Sequence, residues 1–433
     1  MDTLEENDLK FIRLLEVKAE SFFTIGNYIL ENNTSFSQKF DMMVMQEILH
    51  LEIFLDDYGA RNNKKYVYIT ELIASIRNFT NVMYTTKHIF DRISLYKVED
   101  TVNGEKNFKE SVNNFYEWSI GCLKKLYTEA FEEAKRLKVK IPQGKVDDRF
   151  FKGNENHFKL EQNIEKDNVE LAVNRILELT SKYRKVAKSI HRENFGKKIK
   201  PKDLNTLIPF RVDEKKARKF QNILHGVQSD YDTYVKGSSE EKTHKNLKRL
   251  RGFVAVPMYL LGIVSWLSHF YERHLPTIRN TEVKEKISAI INTDELLHHL
   301  AYFGMNLCHK YLHIGNEIAE KILTYYSQPI TMELPVPQPI GFHARPSHYI
   351  SLIVNEFGTD VFLVVDGEEY SCKSVMMLLQ AGGEIAEKGL KTVTFKGDEK
   401  VLKDLKILAE HNYCEDSSIP PELNYIRIAR NFL

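Results

Sequence analysis

Apolar residues recur at helical spacing through most of the chain. Phe11, Leu15, Phe22, Ile25 and Ile29 form the first stripe; Val44, Ile48, Leu51 and Leu55 form the second. Leu72, Ile76, Phe79 and Met83 continue the pattern, and a fourth helix is expected from about Phe108 to Leu137 with Val112, Phe115, Cys122 and Leu126 on one side. Each stripe must bury one face, so four of them predict a helical bundle over 1–140. The first proline of the chain is Pro142, consistent with uninterrupted helices before it. A polar stretch with Gly and Asn, from Pro142 to Asp167, reads as a connection.

The helical pattern then starts again. Gln46-Glu47-Ile48-Leu49-His50 is answered by Gln221-Asn222-Ile223-Leu224-His225, and His88-Ile89-Phe90-Asp91-Arg92 by His269-Phe270-Tyr271-Glu272-Arg273. Cys122, Lys124 and Leu126 are answered by Cys308, Lys310 and Leu312. The matches keep their order, so 166–328 reads as a second bundle unit related to 1–140 by internal duplication.

From Ile330 the period changes. Met332, Leu334 and Val336 alternate with Pro335 and Pro337, which predicts an edge strand. Ser347 to Phe357 has helical spacing and ends at Gly358. Val361–Val365 and Glu369–Cys372 read as two strands joined by an Asp366-Gly367 hairpin turn. A short helix with Val375, Leu378 and Leu379 is expected to stop before Gly382-Gly383; Thr392–Lys396 is a fourth strand, and Val401, Leu405 and Leu408 mark a last helix. The order β-α-β-β-α-β-α predicts an antiparallel sheet with helices on one face, over 330–416. A tail, 417–433, follows, with Pro420-Pro421, Ile426, Ile428 and Phe432. The fold class expected is therefore multidomain, all-α first and α+β at the C-terminal end.

The 433 residues are enough for two or three cores, and 42% hydrophobic with 28% charged residues is an ordinary soluble composition. A net charge of +1 gives no global attraction to nucleic acid or to anionic lipid. Four scattered cysteines without a CxxC pair point to reduced thiols in a cytoplasm. The acidic start lacks a signal-peptide pattern, and the uncharged span Gly252 to Ser268 reads as a buried bundle helix rather than a membrane crossing. The basic run from Lys242 to Arg251 reads as a solvated face.

Two ExxH pairs, Glu47/His50 and Glu295/His298, have the spacing used by di-metal bundles, as His309 and His313 have that of two metal ligands one turn apart. Asn222 stands where the repeat would need the partner of Glu47, and the two pairs fall on non-equivalent helices. No metal and no cofactor are expected, and a di-metal bundle ranks third among the functional readings.

The chemistry concentrates at Gly341-Phe342-His343-Ala344-Arg345-Pro346. If His343 caps a helix beginning at Ala344, a phosphoryl group on its ring would face free backbone N–H groups and the positive end of the helix dipole. Arg345 is a fixed cation able to pair with phosphate, and Pro346 falls in the first turn, where its missing N–H breaks no bond. Neutral imidazole is a good nucleophile near pH 7. A second motif, Lys373-Ser374-Val375-Met376, lies at a fixed interval, with Ser374 31 residues after His343.

These two motifs, their separation and the element order over Thr331–Asp416 resemble HPr, the histidine-containing phosphocarrier protein of the bacterial phosphotransferase system. The resemblance implies an open-faced β-sandwich in which His343 accepts a phosphoryl group from an enzyme I-like donor and passes it to a downstream protein. Ala344, Arg345 and Pro346 would orient and stabilise the phosphate. Ser374 would be a regulatory site for an HPr kinase, against the plainer role of an N-cap serine. Val375, Met376 and Leu379 would form the partner surface. Ile340 stands where the family often has Asn, Thr or Ser, and Met377 where it often has Gly. The expected function is a carrier rather than a turnover enzyme, with the helical units as sensor, scaffold or output. The alternative is an interaction module that keeps the shape without relaying phosphate. What the helical region binds, the pathway served and the oligomeric state are not legible.

Overall fold

The computed structural model describes residues 2–32, 37–96, 98, 105–141, 144–146, 169–193, 200–208, 210–274, 281–326, 329–415 and 418–426. Most of the expected connection at 142–167 falls outside them, as do Ile428 and Phe432. The chain is mostly helical, with a small four-stranded antiparallel sheet near the C-terminus.

By compactness it divides into two units: Met1–Lys166, Ser189–Gln228 and Arg251–Ile314 form one, and Asp167–Lys188, Ser229–Leu250 and Gly315–Leu433 the other. These boundaries differ from those expected near 140 and 328, because compactness follows packing rather than chain order.

The first unit contains α1 (Asp2–Lys18), α2 (Glu20–Glu31), α3 (Gln38–Asp57), α4 (Val67–Tyr96) and α5 (Glu105–Arg136). The expected stripes are buried: Val44, Ile48, Leu51 and Leu55 on α3, Leu72, Ile76, Phe79 and Met83 on α4, and Val112, Phe115 and Leu126 on α5. The first stripe is shared by two helices, since the backbone leaves helical geometry at Ala19. Further helices follow: α6 (Val169–Arg192), α7 (Glu214–Asp230), α8 (Ser239–Thr243), α9 (Lys245–His274), α10 (Thr281–Ile290), α11 (Thr293–His299) and α12 (Leu307–Tyr326), with a π-helical turn, Leu300–Asn306, joining the last two. The paired sequence segments fall on α3 and α7, α4 and α9, and α5 and α12, in the same order; α4 and α9 each have 30 residues. By length and composition α9 could cross a membrane, but its apolar span is mostly buried inside the protein. All four cysteines are buried and unbridged.

In the second unit, β1 (Pro329–Pro335), β2 (Val361–Val365), β3 (Glu368–Ser371) and β4 (Thr392–Asp398) pair in the order β1-β4-β2-β3. Every pairing is antiparallel, with Leu334 opposite Val393 and Leu363 opposite both Phe395 and Tyr370. The proline-bearing strand is at the edge, where a missing N–H disturbs no ladder. Leu334, Leu363, Val365 and Phe395 share one core with Ile350 and Val354 of α13 (Ala344–Phe357), Leu378 and Ile385 of α14 (Val375–Lys388), and Leu405 and Leu408 of α15 (Glu399–Glu410). Alternation in strands and helical spacing between them therefore deliver one apolar face each to a common interior. One expectation is corrected: α14 does not stop before Gly382-Gly383 but runs through both to Lys388.

Candidate functional site

His343 is the N-cap of α13, which begins at Ala344. Gly341 prepares the entry with φ +79, a conformation that favours glycine, and its N–H donates to the carbonyl of Pro337 at 2.9 Å. The His343 N–H in turn donates to the Gly341 carbonyl at 2.9 Å. The imidazole then has two distinct faces. Nδ1 lies 3.5 Å from the backbone N–H of Arg345, a long capping contact over the first turn of the helix. Nε2 lies 2.9 Å from Oε1 of Glu415. The ring is partly exposed, so Nδ1 is the nitrogen offered at the helix mouth.

Pro346 is buried in the first turn and Ala344 is exposed. Arg345 is exposed, and its Nη1 donates to the backbone carbonyl of Glu415 at 2.9 Å. Its guanidinium thus clasps the segment after α15.

That segment is held against the His343 loop. Asn412 accepts from the Gln338 N–H at 2.9 Å and donates to the Gln338 carbonyl at 2.7 Å. The Tyr413 hydroxyl donates to the carbonyl of Pro335 at 2.9 Å, and its ring meets Phe342 edge-on. Glu415 was not among the residues expected from sequence. It stands 72 positions after His343, and no periodic or motif signal marks it.

Ser374 caps α14, its Oγ accepting from the Met377 N–H at 3.3 Å. The preceding carbonyl, of Lys373, accepts from Ser351 Oγ at 2.9 Å and Asn355 Nδ2 at 3.1 Å, so the loop carrying Ser374 is fastened to α13. Met376 and Ile340 are strongly exposed, at 75% and 69%, while Val375 and Leu379 are half-buried. Met377 is also half-buried, packed against the common core.

The opposite end of α13 is capped by Gly358 and gripped by α6. Arg184, 6% exposed, donates from Nη1 to the Gly358 carbonyl at 2.6 Å and from Nη2 to Glu320 at 3.2 Å. Ser181 donates to the Phe357 carbonyl at 3.0 Å, and Lys185 pairs with Glu356. Cations and donors at a helix C-terminus satisfy its last carbonyls and oppose its dipole.

The histidines suspected from spacing are placed differently from a metal centre. Glu295 and His298 are both exposed, and His50 is exposed beside a half-buried Glu47. His309 meets His191, a residue sequence spacing did not connect to it, with Nε2 2.8 Å from Nδ1. Burial first, then the neighbouring His191 and His313, lower the pKa of His309. Among the described residues no group of three or more His, Cys, Asp or Glu side chains is placed to hold a metal ion.

No protein-family model, no curated protein and no solved structure matches the chain.

Proposed function

We propose that the chain is a phosphoryl-relay protein whose C-terminal domain is an HPr-like phosphocarrier, with His343 as the acceptor. The observation that carries this reading is the placement of His343 as the N-cap of α13, with Nδ1 turned to the first free N–H groups. A phosphoryl group there would gain backbone donors and the positive helix end, and Arg345 stands two residues further on to contribute its charge. The β-α-β-β-α-β-α order and the sheet order β1-β4-β2-β3 support the same reading, as does Ser374 at the start of α14.

Exposed Ile340 and Met376 supply apolar area of the kind a protein donor or acceptor needs, and Val375 and Leu379 are half-buried. The partners are an enzyme I-like donor and a downstream protein; an HPr kinase would act at Ser374. The helical region serves as sensor or output. Support for that role comes from α13, whose N-terminus carries His343 and whose C-terminus is gripped by Ser181, Arg184 and Lys185 of α6.

The test is incubation with phosphoenolpyruvate and enzyme I. Acid-labile phosphate on the intact protein and none on His343→Ala supports relay. Absence of label on both rejects this donor and favours an interaction module.

A further inference from the structure

One buried imidazole nitrogen of the helical region stands among cations and phenols. Tyr84, His88, Arg92 and Tyr96 recur every four residues and fall on one side of α4. Arg251 and Tyr259 come from α9. The His88 and Tyr259 ring centroids are 4.3 Å apart, and a Cβ on Gly252 would stand 1.9 Å from the Tyr96 carbonyl oxygen. Gln38, at the start of α3, donates to the Tyr84 hydroxyl at 2.9 Å. His88 is half-buried, and its Nε2 is buried with no hydrogen-bond partner among the described residues. Such an atom is uncommon in a folded protein and asks for a partner.

Burial first, then Arg92 and Arg251, push the pKa of His88 down to about 4. Burial raises Tyr96 and Tyr259, and the same two arginines oppose it in both. Asp91 acts on His88 in the other sense, but its carboxylate is paired with Lys87. Two guanidinium charges therefore act on all three side chains. The matching segment of sequence holds an anion at this place. His88 is answered by His269, whose Nδ1 lies 2.6 Å from Glu214 Oε2, and the other oxygen of that carboxylate accepts from Arg218 at 2.8 Å. The interval of 175 residues between Gln46 and Gln221 also separates Lys39 from Glu214. Where one histidine has a carboxylate, the corresponding position for the other carries a cation.

We infer that His88, Arg92 and Arg251, with exposed Lys39 at the rim, form a binding site for a phosphate dianion, either free phosphate or the phosphate of a small metabolite. The inference is independent of the relay reading. Guanidinium groups pair with phosphate through parallel N–H donors, and a protonated His88 donates from Nε2. A dianion offsets two guanidinium charges where a single carboxylate offsets one, so phosphate is the class preferred. Its charge also restores the proton that Arg92 and Arg251 drive from the ring.

The test uses the full chain labelled with 15N-histidine, titrated with inorganic phosphate, glycerol 3-phosphate and acetate at constant ionic strength. The His88 signals are assigned by their loss in His88→Ala. Phosphate is expected to shift them saturably and to raise the His88 pKa. The response is expected to be the same in His343→Ala, which keeps it apart from the relay site. Arg92→Gln should weaken binding about 10-fold, the scale of one charged hydrogen bond. Lys39→Glu installs the carboxylate that His269 meets, so it should weaken binding at least as much and raise the His88 pKa without any ligand. Arg92 and Lys39 are both exposed, so these variants fold. Tighter binding of glycerol 3-phosphate than of inorganic phosphate assigns the site to a phosphorylated metabolite; equal or weaker binding assigns it to free phosphate. His88 signals that respond to neither phosphate, acetate bound as tightly as phosphate, or a response untouched by both substitutions overturns the inference.

Discussion

A Cβ on Gly382 would stand 2.5 Å from the carbonyl oxygen of Phe342, the residue before His343. The middle of α14 is therefore pressed against the backbone that presents His343, and glycine is what allows the approach.

Gly382→Ala should consequently destabilise the C-terminal domain, by about 1–3 kcal/mol, because backbone must move to admit the methyl group. Its neighbour Gly383 has open space around the same atom. Gly383→Ala should stabilise, by about 0.5–1 kcal/mol, as alanine does in an unobstructed helix. Thermal unfolding of the two variants checks the opposite signs.

Arg184→Ala removes a buried guanidinium from the carbonyl of Gly358 and from Glu320. Charged hydrogen bonds of this kind contribute about 1.5–3 kcal/mol. Amide hydrogen exchange should speed up in the last turn of α13, while amides of α14 keep their protection. Equal loss of protection across both helices would contradict a local role.

Asp41 on α3 is fully buried, and neither of its carboxylate oxygens has a hydrogen-bond partner. Burial pushes its pKa up to about 7 against the opposing pull of Lys87. The folded protein therefore holds a proton that the unfolded chain releases near the ordinary carboxylate value. Its contribution to stability is complete below about pH 4 and is lost as the pH rises through 7. Asp41→Asn should flatten that decline and exceed the wild type at pH 8 by up to roughly 4 kcal/mol, the full value of such a shift. Melting temperatures at pH 5 and pH 8 give the comparison.

Ser374→Ala should cost about 1 kcal/mol through loss of the cap on Met377. Ser374→Asp retains an acceptor and adds negative charge at the helix N-terminus, so its melting temperature should equal or exceed that of wild type. The same serine, if it is the kinase site, takes phosphate from ATP and a kinase in the wild type and in His343→Ala but not in Ser374→Ala.

Local order was largely readable from the chain. The stripes on α3, α4 and α5 are buried where spacing put them, because a helix in a bundle has one face to bury. The edge position of β1 followed from its prolines, and the Asp366-Gly367 turn has both residues at positive φ. The continuation of α14 through Gly382-Gly383 was not readable, since two glycines mark a helix end unless a close neighbour demands one of them. His343 and Ser374 announced themselves through local motifs at helix starts. Glu415 could not, because it reaches His343 only after the intervening sheet and helices have folded. The contact of His191 with His309 is likewise a product of packing across 118 residues.

The most direct measurement is the location of phosphate after reaction of the full chain with phosphoenolpyruvate and enzyme I. The account predicts one phosphoryl group per chain, on His343, stable to base and lost in acid, and absent from His343→Ala. Phosphate on another residue, or a wild type and His343→Ala that label equally, would contradict it.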